Sequence, residues 1–441
     1  MSDVSTQERA TAPRGDGKAT EESLLTDDFV RQLISVGEVD LLVGLPTHNN
    51  SKTVGPVVNA IQDGILRWFP RERAAIINAD SGSRDGTPRL VVDASIDDMQ
   101  RRSWNRQALR TLHSISTQCG NGVPGGAALQ TILAAAELLR AKACVMVSPE
   151  SVNMAPEWVP ALLRPIYAEN FDLVLPTYAR HKFDGLLITN LLYPMTRALY
   201  GLKIREPYAT EFAFSGRLAS QFLAQNSWGE EAAAPGFELR FTLAAIAAGY
   251  RISQSFLGTK SHVERHASDL VPALRRTISP LFSSMESTFP LWSAKTGSQS
   301  VPTAGDEQRV TLELLRVNRK RLREMFCTGV AELHSVFESI LSPTTLAQLQ
   351  VITRQSETEP HYSDELWVRT LYEFAAAYHH AVISRDHIIQ ALAPLVRGRA
   401  FTFVSENRNS GESDVESHIE ALCLEFERLK PYLLQKWSSR E

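Results

Sequence analysis

Cysteine is scarce. The 441 residues contain four, Cys119, Cys144, Cys327 and Cys423, far apart and with no Cys-x-x-Cys pair. That spacing excludes a cysteine zinc site and a disulfide framework, and buried free thiols in a reducing cytoplasm are the expectation. A basic surplus is also missing, since 46 Lys and Arg stand against 50 Asp and Glu for a net charge of −4. With nothing in excess to neutralise phosphates, nucleic acid is not expected as a main partner. No apolar run reaches the about 18 residues of a membrane span, so no transmembrane helix is predicted. Met1–Glu22 lacks the apolar segment of a signal peptide, and residues 1–26 read as a disordered leader. No repeat with a period of about 20–50 residues stands out. What is present is ordinary for a globular protein, 43% hydrophobic and 22% charged, with length enough for two or three domains.

The most informative stretch is Val39–Val92. Two short apolar runs, Leu41–Leu45 and Ala74–Ile77, have the length and β-branched content of strands. Between them Val54, Val57, Val58, Ile61, Ile65 and Trp68 recur at nearly 3.6 residues. The pattern predicts a βαβ unit, whose ligands sit beyond the carboxyl ends of its strands. Both ends carry polar turns: Pro46-Thr47-His48-Asn49-Asn50 after the first, and Asn78-Ala79-Asp80-Ser81-Gly82-Ser83-Arg84-Asp85-Gly86-Thr87 after the second. Asp80 can accept hydrogen bonds from a base or ribose; equally, Asp80 and Ser83 can cap the following helix.

The α/β pattern continues. Asp27–Val36 reads as a helix capped at Thr26, Arg89–Met99 as a helix opened by Pro88, and Ala108–Ser116 as a weak third strand. A glycine-rich loop at Gly120–Gly126 leads into the helix Ala127–Lys142, and Ala143–Val147 is a buried strand ending in Ser148-Pro149-Glu150-Ser151. Pro156–Ile166 reads as a helix, and Phe171–Pro176 as a strand leading into Thr177–Gly185. Leu186–Tyr200, apolar on nearly all sides with Pro194 inside, predicts a buried, kinked helix. The segment Gly201–Gly216 reads as a loop with a short strand, Gly236–Ala248 as a helix carrying Glu238, and Arg251–Leu257 as a strand before the polar loop Gly258–His266. Ser293–Asp306 has linker composition. Arg309–Leu341, Pro343–Ile352, Ser363–Ser384, Arg385–Leu395 and Ser413–Trp437 then read as helices. The expected division is an α/β domain over residues 27–292, a linker over 293–306 and an all-helical region over 307–441. Within the latter, Trp367, Tyr372, Phe374 and Tyr378 read as core, and His379-His380 as structural.

The two turns of the opening unit resemble the paired nucleotide-sugar motifs of family 2-like glycosyltransferases of the GT-A fold. The form of Asp80–Thr87 is similar to that of glucosyl-3-phosphoglycerate and mannosylglycerate synthases. The resemblance extends from Val39 to Asp269, about half the chain, with the later motifs matching by order and spacing. It implies a GT-A domain, a Rossmann-like nucleotide-diphospho-sugar transferase. Pro46, Thr47, Asn50, Asp80 and Ser81 would bind the nucleotide, with Asn50 where the family usually has glutamate. Gly125 falls where the family carries a phosphate-binding lysine.

The same resemblance implies a divalent cation, Mg2+ or Mn2+, which prefers hard oxygen ligands. Its ligands would be Glu150 and His262, with Ser148 in the first position of the Asp-x-Asp motif; the alternative is a capping Glu150 and a surface His262. Arg180, His181, Asp184, Gly185 and Thr189 would bind the acceptor, Leu186 replacing an expected arginine. Glu211 and Glu238 are the remaining rim carboxylates for catalysis, as base or as electrostatic stabiliser. The implied activity moves glucose or mannose from a nucleoside-diphosphate sugar to a small hydroxy acid such as glycerate or phosphoglycerate, with retention. The competing expectation is a catalytically impaired GT-A protein that binds a sugar nucleotide or acts as a scaffold. A nucleotidyltransferase fits less well, because Pro46–Asn50 is not a glycine-rich phosphate loop. The helical region is expected to form a homodimer contact or to cover the acceptor site.

Overall fold

The computed structural model describes residues 25–101, 112–120, 125–224, 236–260, 270–305, 315–354 and 360–439. The leader over 1–24 and both histidines of the 261–269 segment, His262 and His266, lie outside them.

The central sheet has the order β10-β8-β5-β7-β4-β1-β2-β3. Its strands are β1 Leu41–Thr47, β2 Ala74–Asp80, β3 Leu112–Gln118, β4 Ala143–Met146, β5 Leu173–Ala179, β7 Phe212–Ser215, β8 Ile252–Thr259 and β10 Thr303–Ala304, while β6 Leu202–Lys203 pairs separately with β9 Gln299–Ser300. All neighbours in the large sheet are parallel except β7, which runs antiparallel between β4 and β5. The apolar runs are continuous because helices cover both faces. Leu42, Ala75, Ile77, Cys144 and Leu173 face one core, and Leu41, Val43, Ile76, Val145 and Val174 face the other. Gly44 allows the helix Gly126–Leu138 to lie close on β1: a Cβ there would meet Ile132 Cγ2 at 2.6 Å and Met146 Sδ at 2.9 Å.

The expected α/β domain followed by a helical region is what the structure shows, with three local differences. Residues 188–192 form a π turn, and Pro194 lies in the first turn of the helix Tyr193–Tyr200 that follows. The helical conformation is unbroken over residues 186–200, so Pro194 leaves the Asn190 carbonyl, four residues back, without the N–H of position 194. The Trp367 indole N–H takes that carbonyl at 2.7 Å. The stretch of linker composition carries β9 and β10, and β10 extends the main sheet beside β8. Two long helical patterns break in two: His334–Ile340 follows Arg319–Glu332, and Lys430–Ser438 follows Glu412–Arg428.

One hydrophobic core contains Leu191 and Leu199, Leu274 and Phe282, and Trp367, Phe374 and Trp437. The helices around residues 190–290 therefore share an interior with those after residue 315. His379 stacks on Trp437 at 4.1 Å, and His380 Nε2 reaches Lys436 O at 3.1 Å. The two histidines serve different neighbours, as a structural role requires. Among the described residues the four cysteines are free, and no helix is long and apolar enough to cross a membrane.

Candidate functional site

The register Thr47↔Asp80 and Asp80↔Gln118 brings the carboxyl ends of β1, β2 and β3 to one level. There the two polar turns are stitched together. Thr47 Oγ1 lies 2.8 Å from Asp80 Oδ1 and 2.8 Å from Asn78 Oδ1. Asp80 Oδ1 also accepts the Ser83 hydroxyl at 2.6 Å, and Oδ2 the Ser83 N–H at 2.8 Å. Asp80 thus organises its own turn, as a capping residue does, while lining the groove above it. Oδ2 accepts one bond and retains lone-pair capacity.

Across the turns, Asn49 N–H donates to Ser83 Oγ (2.8 Å), Asn50 N–H to Thr87 Oγ1 (2.8 Å) and Arg84 N–H to Asn49 Oδ1 (2.9 Å). His48 Nδ1 meets the Ser81 carbonyl at 2.9 Å. A carbonyl only accepts, so Nδ1 carries the proton and Nε2 takes the Asn49 amide at 3.0 Å. Gly82 and Gly86 supply the positive φ values of 77° and 85° that the second turn needs. Burial opposes ionisation of Asp85, but hydrogen bonds from Thr87 and Ser51 outweigh it and hold the carboxyl well below the usual range. Above this frame opens a groove of about 1230 Å³, lined among others by His48, Asp80, Ser83, Arg84, Thr117 and Gln118. Gly125 stands at the amino end of Gly126–Leu138 without a side-chain cap.

A second cluster occupies the same rim farther along the sheet. Glu211 is fully buried immediately before β7. Its carboxylate receives hydrogen bonds from Ser151, from Tyr178 OH (2.9 Å), from Thr210 Oγ1 (3.0 Å) and from Lys260 Nζ (2.5 Å). Ser151, Tyr178 and Lys260 come from the carboxyl ends of β4, β5 and β8, and Thr210 adjoins Glu211 at the amino end of the antiparallel β7. Burial alone would raise the Glu211 pKa; Lys260 and the hydroxyls reverse this and lower it. Tyr178 moves the other way, pushed up by burial and by the Glu211 charge.

Glu238 is half-buried in the first turn of Phe237–Ala247. That helix ends just before the amino end of β8, so its own amino end stands at the carboxyl rim. Burial raises the Glu238 pKa, partly opposed by Arg276.

The acceptor-side residues are brought together, but largely on one another. Arg180 Nε binds Glu206 at 2.7 Å and Nη1 binds Asp184 at 3.0 Å. Burial disfavours the guanidinium charge, and the two carboxylates more than restore it. Gly185, at φ 64°, sits against the Arg180 side chain, where a Cβ would stand 3.6 Å from Arg180 Cδ. His181 Nδ1 accepts the Phe183 N–H at 3.2 Å, and burial together with Lys182 lowers its pKa. Thr189 Oγ1 faces the Gly185 and Leu186 carbonyls within its own turn. Lys182 leaves the group and donates to the carbonyls of Arg408 (3.0 Å) and Ser410 (2.9 Å), tying this loop to the helical region.

The expected metal ligands do not form a site within the described residues. Glu150 lies at the end of β4 with its N–H 3.2 Å from Ser148 Oγ, His262 is not described, and among the described residues no group of three His, Cys, Asp or Glu converges. The residues that the sequence reading passed over are Lys260, Tyr178, Ser151, Thr210 and Glu206. Lys260 stands two positions before His262 in a segment whose histidine drew the attention, and its partner is 49 positions away.

No family model matches the chain, and no curated protein matches it. Among solved structures, glucosyl-3-phosphoglycerate synthase from Mycobacterium tuberculosis in complex with phosphoglyceric acid aligns with 60% of this chain and 86% of its own, at 20% identity and a TM-score of 0.39. Its complex with Mn2+, uridine diphosphate and phosphoglyceric acid aligns with 58% and 82%, at 21% identity and a TM-score of 0.41. The complex with Mg2+ and uridine diphosphate gives 58% and 83%, at 22% identity and 0.41.

Proposed function

We propose that the chain is a glycosyltransferase that moves a hexose, glucose or mannose, from a nucleoside diphosphate to a small hydroxy acid of the glycerate or phosphoglycerate type, with retention. The observation that carries this reading is the pair of interlocked turns, Pro46–Asn50 and Asp80–Thr87, at the carboxyl ends of adjacent parallel strands beneath an open groove. Their sequence resembles the nucleotide-sugar motifs, and crevices at such strand ends are where open α/β sheets bind ligands. The nucleoside lies over Thr47, Asp80 and Ser81, and the hexose extends towards Glu211.

In the reaction the anomeric C–O bond to the diphosphate breaks, its electron pair staying on the phosphate oxygen. The acceptor hydroxyl oxygen bonds to the anomeric carbon, and its proton passes to that phosphate oxygen. Glu211, held ionised by four donors, acts as a fixed negative charge beside the developing sugar cation. Glu238, its pKa raised by burial, accepts a hydrogen bond from the acceptor hydroxyl in its ionised form and orients that hydroxyl for attack. Arg180 recognises the acceptor carboxylate by exchanging one of its two carboxylate partners for it. A divalent cation would supply charge to the diphosphate, and Glu150 is its candidate ligand.

The test is product formation. The full chain is incubated with nucleoside-diphosphate glucose or mannose and with glycerate or phosphoglycerate, and glycosylated acid is sought by mass spectrometry. Transfer to any of these acids supports the reading. Neither transfer nor donor hydrolysis, with or without Mn2+, would sink it. A second reading, a sugar-nucleotide binder without turnover, is favoured by Ser148 at the end of β4 and by the saturation of Arg180. Ser148→Asp separates the two: turnover rises in a weak enzyme and stays at zero in a binder.

A further inference from the structure

We infer that Lys260 is the residue that neutralises the leaving diphosphate, a contact that joins the nucleotide half-site to the Glu211 cluster. This rests on the nucleotide-sugar reading and deepens it. Within the described part of the rim, Lys260 is the cation that the fold places between the nucleotide turns and the acceptor-side residues.

The position follows from topology. Lys260 follows the last residue of β8, yet its Nζ is drawn back over the sheet onto Glu211 Oε2 at 2.5 Å and Thr210 Oγ1 at 2.9 Å. Glu211 directly precedes β7, so the ammonium lies above the line of β7. In the sheet order β7 is separated from β1 only by β4, two strand spacings or about 10 Å. A diphosphate arm leaving a nucleoside seated over β1 and β2 spans such a distance. The Asn153 amide donates to Thr259 O at 2.7 Å, fastening the loop after β4 to the end of β8.

The chemistry agrees with the position. An ammonium has three N–H donors; two are used, and the third has no partner among the described residues. The Lys260 side chain is 13% exposed, and the Tyr178 ring lies 5.3 Å from Nζ, which limits water around the charge. Glu211 shares its negative charge among Ser151, Tyr178 and Thr210 as well as Lys260. The ion pair is therefore not closed on itself, and the ammonium keeps one edge for a phosphate oxygen. In this partly desolvated place such a contact is stronger than at the open surface.

The bland alternative is that Lys260 only compensates a buried carboxylate. Comparing nucleoside diphosphate with monophosphate distinguishes the two, because the monophosphate stops short of β7. Calorimetric titrations of the full chain with uridine and guanosine mono- and diphosphates, in the presence of chelator, are made on the wild type, Lys260→Met and Lys260→Arg. Lys260→Met is expected to weaken the diphosphate at least tenfold and leave the monophosphate unchanged, with partial recovery in Lys260→Arg. Equal binding of the diphosphate by wild type and Lys260→Met, or equal loss of both nucleotides, would overturn the assignment while leaving the donor site standing. A wild type that binds neither nucleotide overturns the donor site, and Lys260 with it. Should Lys260→Met fail to fold, Glu211→Gln combined with Lys260→Met removes the uncompensated carboxylate, and the same two nucleotides are compared in that background.

Discussion

Glu211 and Glu238 are the same side chain under opposite conditions. Glu211 is ionised by surrounding donors, and Glu238 is pressed towards its neutral form by burial. Removing charge from each should therefore do different things. Glu211→Gln leaves the Lys260 ammonium without its counter-charge, and the cost expected for breaking such a buried pair is about 3–5 kcal/mol, read as a lower denaturant midpoint. Glu238→Gln should spare the midpoint and lower kcat by roughly 10²-fold. Because the Glu238 pKa is raised above 4.5, its basic form disappears as pH falls through that raised value. The acidic limb of the wild-type kcat/KM profile should accordingly lie above pH 4.5 and be absent from the variant. The sequence marked Asp80 as a strand-end residue and Glu211 and Glu238 as rim carboxylates. It did not reach their state. Three partners of Glu211, namely Ser151, Tyr178 and Lys260, lie 33 to 60 positions away along the chain, and only the sheet order unites them.

At the scale of elements, period and turn chemistry were legible where one rule acted alone. β1, the helix Val54–Trp68, β2 and the helix Gly126–Leu138 begin within one residue of where apolar spacing and glycine placement put them, while the ends of β1, β2 and the last helix differ by two to four residues. Reading failed where two rules competed. Helical periodicity runs through Leu333 and Leu429; the break at Leu429 accompanies Pro431 in the first turn of the next helix, and Leu333 departs from helical geometry at φ −96° and ψ 20°. Gly and Pro in Ser293–Asp306 suggested a linker, yet short edge strands tolerate that composition. Close helix packing was equally hidden. Arg319–Glu332 and Arg385–Glu406 meet where Gly329 faces Pro394 and Gly398 faces Phe326. A Cβ on residue 398 would stand 2.5 Å from Phe326 Cδ2. Gly398→Ala should destabilise the chain by about 1–3 kcal/mol through overpacking, measured by chemical denaturation, with nucleotide binding unchanged.

Over the whole molecule, the α/β part and the helical part are joined by a charge seam as well as by a shared core. Arg197, only 1% exposed, binds Glu420 through both Nη atoms and Glu427 through Nε. Lys203 and Arg205 reach Glu420 and Glu416. Positions 416, 420 and 427 fall on one face of Glu412–Arg428. Hydrogen bonding to Arg197 lowers the Glu420 pKa from 4.5 to about 2. A depressed folded-state pKa gives stability that is complete above pH 4.5 and is lost as pH falls towards 2. Hydrogen exchange in Glu412–Arg428 should speed up across that window, and Glu420→Gln should flatten the dependence. None of this was visible in the sequence, where the seam's residues are more than 200 positions apart. The arrangement links the interlocked turns and the Glu211 cluster to the helices that hold the loop at residues 180–185 through Lys182. We propose that the interlocked turns hold a nucleotide sugar. Calorimetric titration of the full chain with nucleoside-diphosphate glucose and mannose, with and without Mn2+, tests this most directly alongside Asp80→Asn. The account predicts saturable binding to the wild type and at least tenfold weaker binding to Asp80→Asn; absence of binding in every condition, or binding indifferent to Asp80→Asn, would contradict it.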